Sequence, residues 1–368
     1  MIVLRVAAFG VALVVVIATL LSAVRTFVVP RGTPVLLTRW VFLVSRFLFV
    51  TASRRTNTYE ERDRIMAVYA PLTLVILPMV WLMIILGASM AMFWSLGTHS
   101  WTEAFRESGS SMLTLGFEAP SDLPSTAVAF AEAVGGLGLL ALLLAYLPTI
   151  YTAFSRREAS VAMMEVRAGS PPTPEELLRR AWVIGWTQRM GPELWQAWQL
   201  WFIDIEETHT SYPSLTFFRS PQPERSWITA AACVLDTASI VMSSLDLPRE
   251  AEAALCVRTG TLSLRRIADY FSIEYDPDPA PTDPIVVSRD EYEGVVEKLR
   301  QAGLPIKPDR EQAWRDFAGW RVNYDRVLIA LAGMVLAPPA PWSSDRSAPW
   351  RRPPLTRRGV RDRGQVGR

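Results

Sequence analysis

The hydrophobic pattern divides the chain in two. Residues 6–24, inside an apolar stretch 1–29, residues 65–97 with no charge at all, and residues 124–154 with Glu132 as their only charge form three long apolar runs. Each reaches or nearly reaches the roughly 20 residues that a helix needs to cross ~30 Å of hydrocarbon. A fourth run, 35–52, is interrupted by Arg39, Ser45 and Arg46. Two arginines seven apart share one helical face, so this segment reads as a helix lying in the membrane interface rather than a span or a voltage sensor.

Beyond residue 155 the pattern becomes that of amphipathic helices. Residues 155–170 continue the last span as a polar helix until Pro171-Pro172. Thr173-Pro174-Glu175-Glu176 is a helix start, with a capping residue, proline in the first turn and Glu at the third position. Helices are predicted over 174–190, 192–208, 227–245, 248–274, 288–302 and 309–336, with a further capping signal in Ser288 and Glu291. The run 227–245 contains Asp236, Thr237, Ser239 and Ser243, which suits a buried helix of a bundle better than a span. Trp182, Trp186, Trp195, Trp198 and Trp201 form a stripe at helical spacing, expected to be core. The segment 211–223 reads as an ordered loop presenting Phe217, Phe218 and Arg219, without a readable role. No strand periodicity, phosphate-binding glycine loop or internal repeat is present.

Charge gives this division an orientation. Residues 1–155 hold 18 charged side chains and the remainder of the chain holds 56. Eight arginines crowd residues 25–64, whereas the loop 98–123 has only Arg106 against Glu103, Glu107, Glu118 and Asp122. Arg156, Arg157 and Arg167 follow the third run. The positive-inside rule therefore places the N-terminus and the loop 98–123 outside, and everything after residue 156 in the cytoplasm, of a bacterial inner membrane. The basic flank also favours retention of the first helix over cleavage as a signal peptide. The tail 337–368 carries eight arginines against Asp345 and Asp362, lacks apolar periodicity, and is predicted to be disordered.

Candidate chemistry is sparse. Two cysteines, Cys233 and Cys256, and two histidines, His99 and His209, argue against a disulfide framework or a zinc site. Glu206 and His209 have the E-x-x-H spacing of a di-iron ligand pair, but there is no second pair; a helix-terminal histidine is the expected role. Without a nucleophile–base pair, metal cluster or phosphate loop, neither an enzyme nor a nucleic-acid-binding protein is expected, and no cofactor is implied.

The loop between the second and third runs is the informative element. Ser100 and Glu103 have capping-box spacing, so a short helix is predicted from Trp101 to about Leu113. It ends in Thr114-Leu115-Gly116-Phe117-Glu118. The order of span, capped short helix, T-x-G-aromatic and glycine-bearing span resembles the pore module of the two-transmembrane potassium channels, whose signature is TVGYG. The resemblance covers residues 66–155 only. It implies an all-α membrane protein with three transmembrane helices, a re-entrant pore helix and a helical cytoplasmic domain. The organisation is then an anchor (1–30), an interfacial helix with a basic loop (31–64), a two-span pore module (65–155) with its pore loop at 99–120, a cytoplasmic domain (156–336) and the basic tail.

The resemblance further implies a homotetramer in lipid, with Thr114, Leu115, Gly116, Phe117 and Glu118 as the filter around a permeant cation, potassium in that family. Gly135, Gly136 and Gly138 would provide the hinge of the inner helix, Gly138 lying at the family's offset from Gly116. The departures are Leu115 for valine, Phe117 for tyrosine and Glu118 for the second glycine. Four Glu118 side chains would form an acidic ring. Glu132, an intramembrane acid, is either functional or held by a serine of the short helix, Ser108, Ser110 or Ser111. Two functional readings stand at this point: a cation channel gated or assembled through its cytoplasmic domain, and a non-conducting membrane scaffold or sensor with a degenerate pore loop.

Overall fold

The computed structural model describes residues 2–29, 35–97, 100–185, 192–248 and 251–347. These residues form twelve α-helices and no extended strand, only one isolated bridge between Leu245 and Ile306. They fall into two compact units. Of the described residues, the first holds those up to 156 together with 211–219, and the second holds those of 157–210 and 220–347.

In the first unit, α1 (Ile2–Phe27), α2 (Leu36–Ser53), α3 (Tyr59–Leu96) and α5 (Leu123–Ala168) are long and apolar enough to cross a membrane, and α4 (Trp101–Met112) lies between α3 and α5 in sequence. Their outward faces are apolar: Val6, Val14 and Ile17 on α1, Val75, Met79 and Met83 on α3, Phe130, Val134 and Leu140 on α5. Such surface cannot be left to water along whole helices and fits a hydrocarbon surround. α1 runs antiparallel to α3. Arg5 lies over the ring of Trp94 at 5.7 Å, and at the other end Phe27 meets Trp81 edge-on at 5.2 Å. Prolines 71 and 78 leave α3 continuous, and Pro148 leaves α5 continuous. The hydroxyls of Thr73 and Thr152 donate to the carbonyls of Tyr69 and Pro148 at 2.6 and 2.8 Å, a local bonding that apolar helices tolerate well.

Of the segment 211–223, residues 211–219 belong to this unit. Tyr212 packs on Tyr146, Phe217 on Tyr69, and Phe218 on Tyr151 and Phe154, with centroid separations of 5.5–5.9 Å. Arg219 pairs with Asp63 and donates to the Tyr59 hydroxyl at 3.1 Å.

The second unit is built around α8 (Trp227–Ser244). Every residue of α8 except Val241 and Met242 is buried, so this helix is core although its length and hydropathy would allow a span. It packs against α6 (Pro174–Val183), α9 (Ala251–Tyr270), α11 (Arg310–Arg321) and α12 (Asp325–Val335). The capping signals act as their spacing predicts: Thr173 accepts from the Glu176 amide, and Ser288 with Glu291 closes a capping box on α10 (Arg289–Gln301). Trp195, Trp198 and Trp201 of α7 (Pro192–Ser211) are buried, while Trp186 lies outside the described residues.

Three expectations are corrected. The helix predicted over 174–190 stops at Val183, because Gly185 takes a left-handed turn (φ 70°) that a helix cannot continue through. The segment 309–336 is two helices, not one. The Asn323 side-chain amide donates to the carbonyls of Gly319 and Trp320 at 2.9 and 3.3 Å, using the acceptors of the next helical turn. Finally, the body of the protein extends past residue 336. Trp342 is buried among Phe317, Tyr292 and Leu299, and Arg346 bonds Glu291 at 2.7 Å. That guanidinium holds the Glu291 carboxyl down to about 2. An isolated tryptophan without helical neighbours carries no periodic signal, which hides its burial from a pattern reading. The remainder of the basic tail, 348–368, lies outside the described residues.

A buried ionic cluster links α8, α11 and α12. Arg321 pairs with Asp236 and, at 2.8 Å, with Asp325, and donates to the Trp342 carbonyl at 2.6 Å. Tyr324 donates to Asp236 at 2.8 Å, and the second oxygen of Asp325 accepts from the Val286 amide at 3.0 Å.

Candidate functional site

The short helix α4 begins where its capping box predicts. The Ser100 hydroxyl accepts from the Glu103 amide, and the Glu103 carboxylate accepts from the Ser100 amide, both at 3.2 Å. Trp101 stacks on Trp94 of α3, 5.8 Å between centroids and 7° between planes. One turn on, Ala104 is buried among Met92, Phe93, Val128 and Ala129. Ser108 then donates to Glu132 of α5 at 2.5 Å and lies 3.4 Å from the Leu86 carbonyl of α3. Met112 ends among Trp81, Ile85 and Leu139. As numbers rise along α4 they fall along α3 and rise along α5. The helix is therefore antiparallel to α3 and parallel to α5.

Its C-terminal end rests on a glycine. A Cβ at Gly136 would collide with the Met112 carbonyl oxygen, closer than real Cβ atoms come. Gly136 lies about 20 Å along α5 from Leu123, at roughly 1.5 Å per residue. Of the other two proposed hinge residues, Gly135 makes an ordinary contact with Leu20, and Gly138 has nothing within 4 Å of its Cβ position. α5 passes all three as one helix.

After Met112 the chain turns back. The amides of Leu115 and Gly116 both donate to the Ser110 carbonyl, at 2.8 and 3.4 Å, with Thr114 and Gly116 in the left-handed region (φ 54° and 72°). Thr114 is the costlier of the two, since it carries a branched Cβ. Leu115 and Phe117 are 60% and 58% exposed in the single chain. Glu118 is held twice. Its amide donates to the Ser110 hydroxyl at 3.0 Å, and its carbonyl accepts from that hydroxyl at 3.2 Å. Its carboxylate pairs with Arg106 at 3.1 Å. The chain then re-enters α5 through Asp122, whose carboxylate accepts from the Ser125 amide at 2.8 Å.

Glu132 is thus paired with Ser108, one of the three serines its position suggested. Ser110, another of the three, serves Glu118 instead. Ser89, buried on α3, faces the same carboxylate. Ser108→Ala removes the donor to a buried acid and is expected to destabilise the protein by ~1–3 kcal/mol. The double variant Ser108→Ala/Glu132→Leu should recover part of that loss. Thermal unfolding in mild detergent measures both; a silent single variant would show that the bond contributes nothing.

The E-x-x-H pair of the second unit is satisfied internally. Glu206 bonds Arg266 at 2.5 Å and lies 3.3 Å from Ser263. His209 is wholly buried. Its Nδ1–H donates to the Ile205 carbonyl at 2.8 Å, which leaves Nε2 to accept from Arg157 at 3.3 Å. Burial first, and Arg157 second, push its pKa well below the ordinary value. Among the described residues no three histidines, cysteines or carboxylates come together as a metal site, while His99 lies outside them. Cys233 and Cys256 are buried and free.

Sequence reasoning missed the parts played by Arg106 and Ser110. The i, i+4 spacing from Arg106 to Ser110 puts both on one face of α4, but nothing in the pattern shows that Glu118 folds back onto it. Searches against protein-family models, curated proteins and solved structures return no match for this chain.

Proposed function

We propose that this chain is one subunit of a tetrameric cation channel with a pore loop, carried in a bacterial inner membrane. The observation that carries the reading is the path of α4. It starts beside the C-terminal end of α3, runs inward alongside α5 to Gly136, and the chain then turns back towards the start of α5. With α1, α3 and α5 as spans and α2 at the cytoplasmic interface, about 20 Å along α5 is near the middle of a ~30 Å hydrocarbon layer. α4 is then a re-entrant pore helix whose negative C-terminal end faces the membrane interior, the arrangement that favours a dehydrated cation. Thr114–Glu118 would line the axis. The exposed Leu115 and Phe117 support contact with neighbouring subunits.

The filter of this reading is weaker than the TVGYG type. Glu118 directs its carbonyl to Ser110, so one oxygen ring that a second glycine would leave available is used inside the subunit. Modest selectivity among monovalent cations follows. The same feature favours the second reading, a non-conducting scaffold with a degenerate pore loop.

Potassium and sodium flux through the purified protein in liposomes tests the proposal. Wild type should conduct as a tetramer, and Glu118→Gln should lower flux severalfold at low ionic strength by removing carboxylates from the mouth. Glu118→Gly should shift selectivity towards potassium. An intact wild type without flux would leave the scaffold reading.

A further inference from the structure

We propose that Arg106 sets the charge of the outer mouth by masking Glu118, so that the ring around the axis is one of ion pairs rather than bare carboxylates. The inference rests on the channel reading. Arg106 lies on α4, six residues before its last residue Met112, and its Nη2 meets Glu118 Oε2 at 3.1 Å. The two side chains are 57% and 33% exposed, so the pair is solvated and can be opened by substitution without leaving a buried charge. The Ser110 hydroxyl fixes the Glu118 backbone from both its amide and its carbonyl, which keeps the carboxylate within reach of Arg106. Of the other acids of this loop, Glu103 closes the capping box of α4 and Asp122 binds the first turn of α5. Arg106 is the only arginine or lysine in the loop 98–123.

Fourfold repetition places four such pairs around one axis. Removing the guanidinium exposes four carboxylates, and local cation concentration rises steeply where like charges converge. Arg106 is therefore a specificity-determining residue: it limits conductance and keeps divalent cations from lodging at the mouth.

The test uses the full-length protein in liposomes, with potassium flux and Mn²⁺ binding by electron paramagnetic resonance as separate readouts. Arg106→Gln should raise flux and Mn²⁺ affinity on the order of tenfold at low ionic strength, and the gain should shrink as salt rises. The double variant Arg106→Gln/Glu118→Gln should lose the Mn²⁺ gain. Size-exclusion chromatography of Arg106→Gln and of Arg106→Met identifies which variant retains the tetramer, and that variant is the one measured. A conducting wild type whose Arg106 variant changes neither flux nor Mn²⁺ affinity overturns the proposal, as does a double variant that keeps the Mn²⁺ gain. A wild type without flux, but with the Mn²⁺ gain in Arg106→Gln, removes the channel reading and retains the masking pair.

Discussion

Arg321→Leu is expected to unfold the second unit or bring it close to unfolding. Arg321 is wholly buried and bonds Asp236, Asp325 and the Trp342 carbonyl. Leucine would leave two carboxylates inside the core with no cation. Breaking a buried pair by removing one partner costs ~3–5 kcal/mol, a large part of the ~5–15 kcal/mol that holds a domain folded. Asp236→Asn should be milder, since an amide oxygen can still accept from Tyr324 and Ser239 lies beside that hydroxyl. Urea unfolding of the full chain in detergent, followed by tryptophan fluorescence, compares the two. Equal midpoints for wild type and Arg321→Leu would show that the cluster is not essential to the unit's stability.

Gly136→Ala is expected to displace the end of α4 and abolish flux. A methyl group there meets the Met112 carbonyl oxygen, a backbone atom that cannot swing aside. Either α4 moves away from α5 or α5 shifts, and strain of this kind costs ~1–3 kcal/mol. Met112 immediately precedes the turn that forms the proposed filter, so a shift of a fraction of an ångström would be transmitted to Thr114 and Gly116. Gly138→Ala meets nothing within the subunit and should leave its fold unchanged. Loss of conduction in Gly138→Ala with intact Gly136→Ala channels would return the decisive role to Gly138, where its offset from Gly116 first placed it. Purified variants compared for assembly and for liposome flux decide this.

Much of the helical layout was legible in the amino-acid pattern, because it depends on local spacing. Long uncharged runs declare helices that can cross a membrane, and Ser100, Thr173 and Ser288 mark helix starts through hydrogen bonds within four residues. Asp236, Thr237, Ser239 and Ser243 within one apolar run announced a buried helix, since each polar group can find a partner only inside a folded unit.

Contacts between distant segments carry no such period, and these the tertiary structure decided. The pairing of Arg106 with Glu118 depends on a turn reversing the chain, and the roles of three nearby glycines are separated only by Met112 lying against one of them. The anchoring of 211–219 on α3 and α5 joins residues 156 positions apart in the case of Asp63 and Arg219, and the burial of Trp342 depends on helices completed some twenty or more residues earlier. Sequence spacing determines which residues share a face; only the packed chain determines which faces meet, because side-chain complementarity is a property of both partners at once.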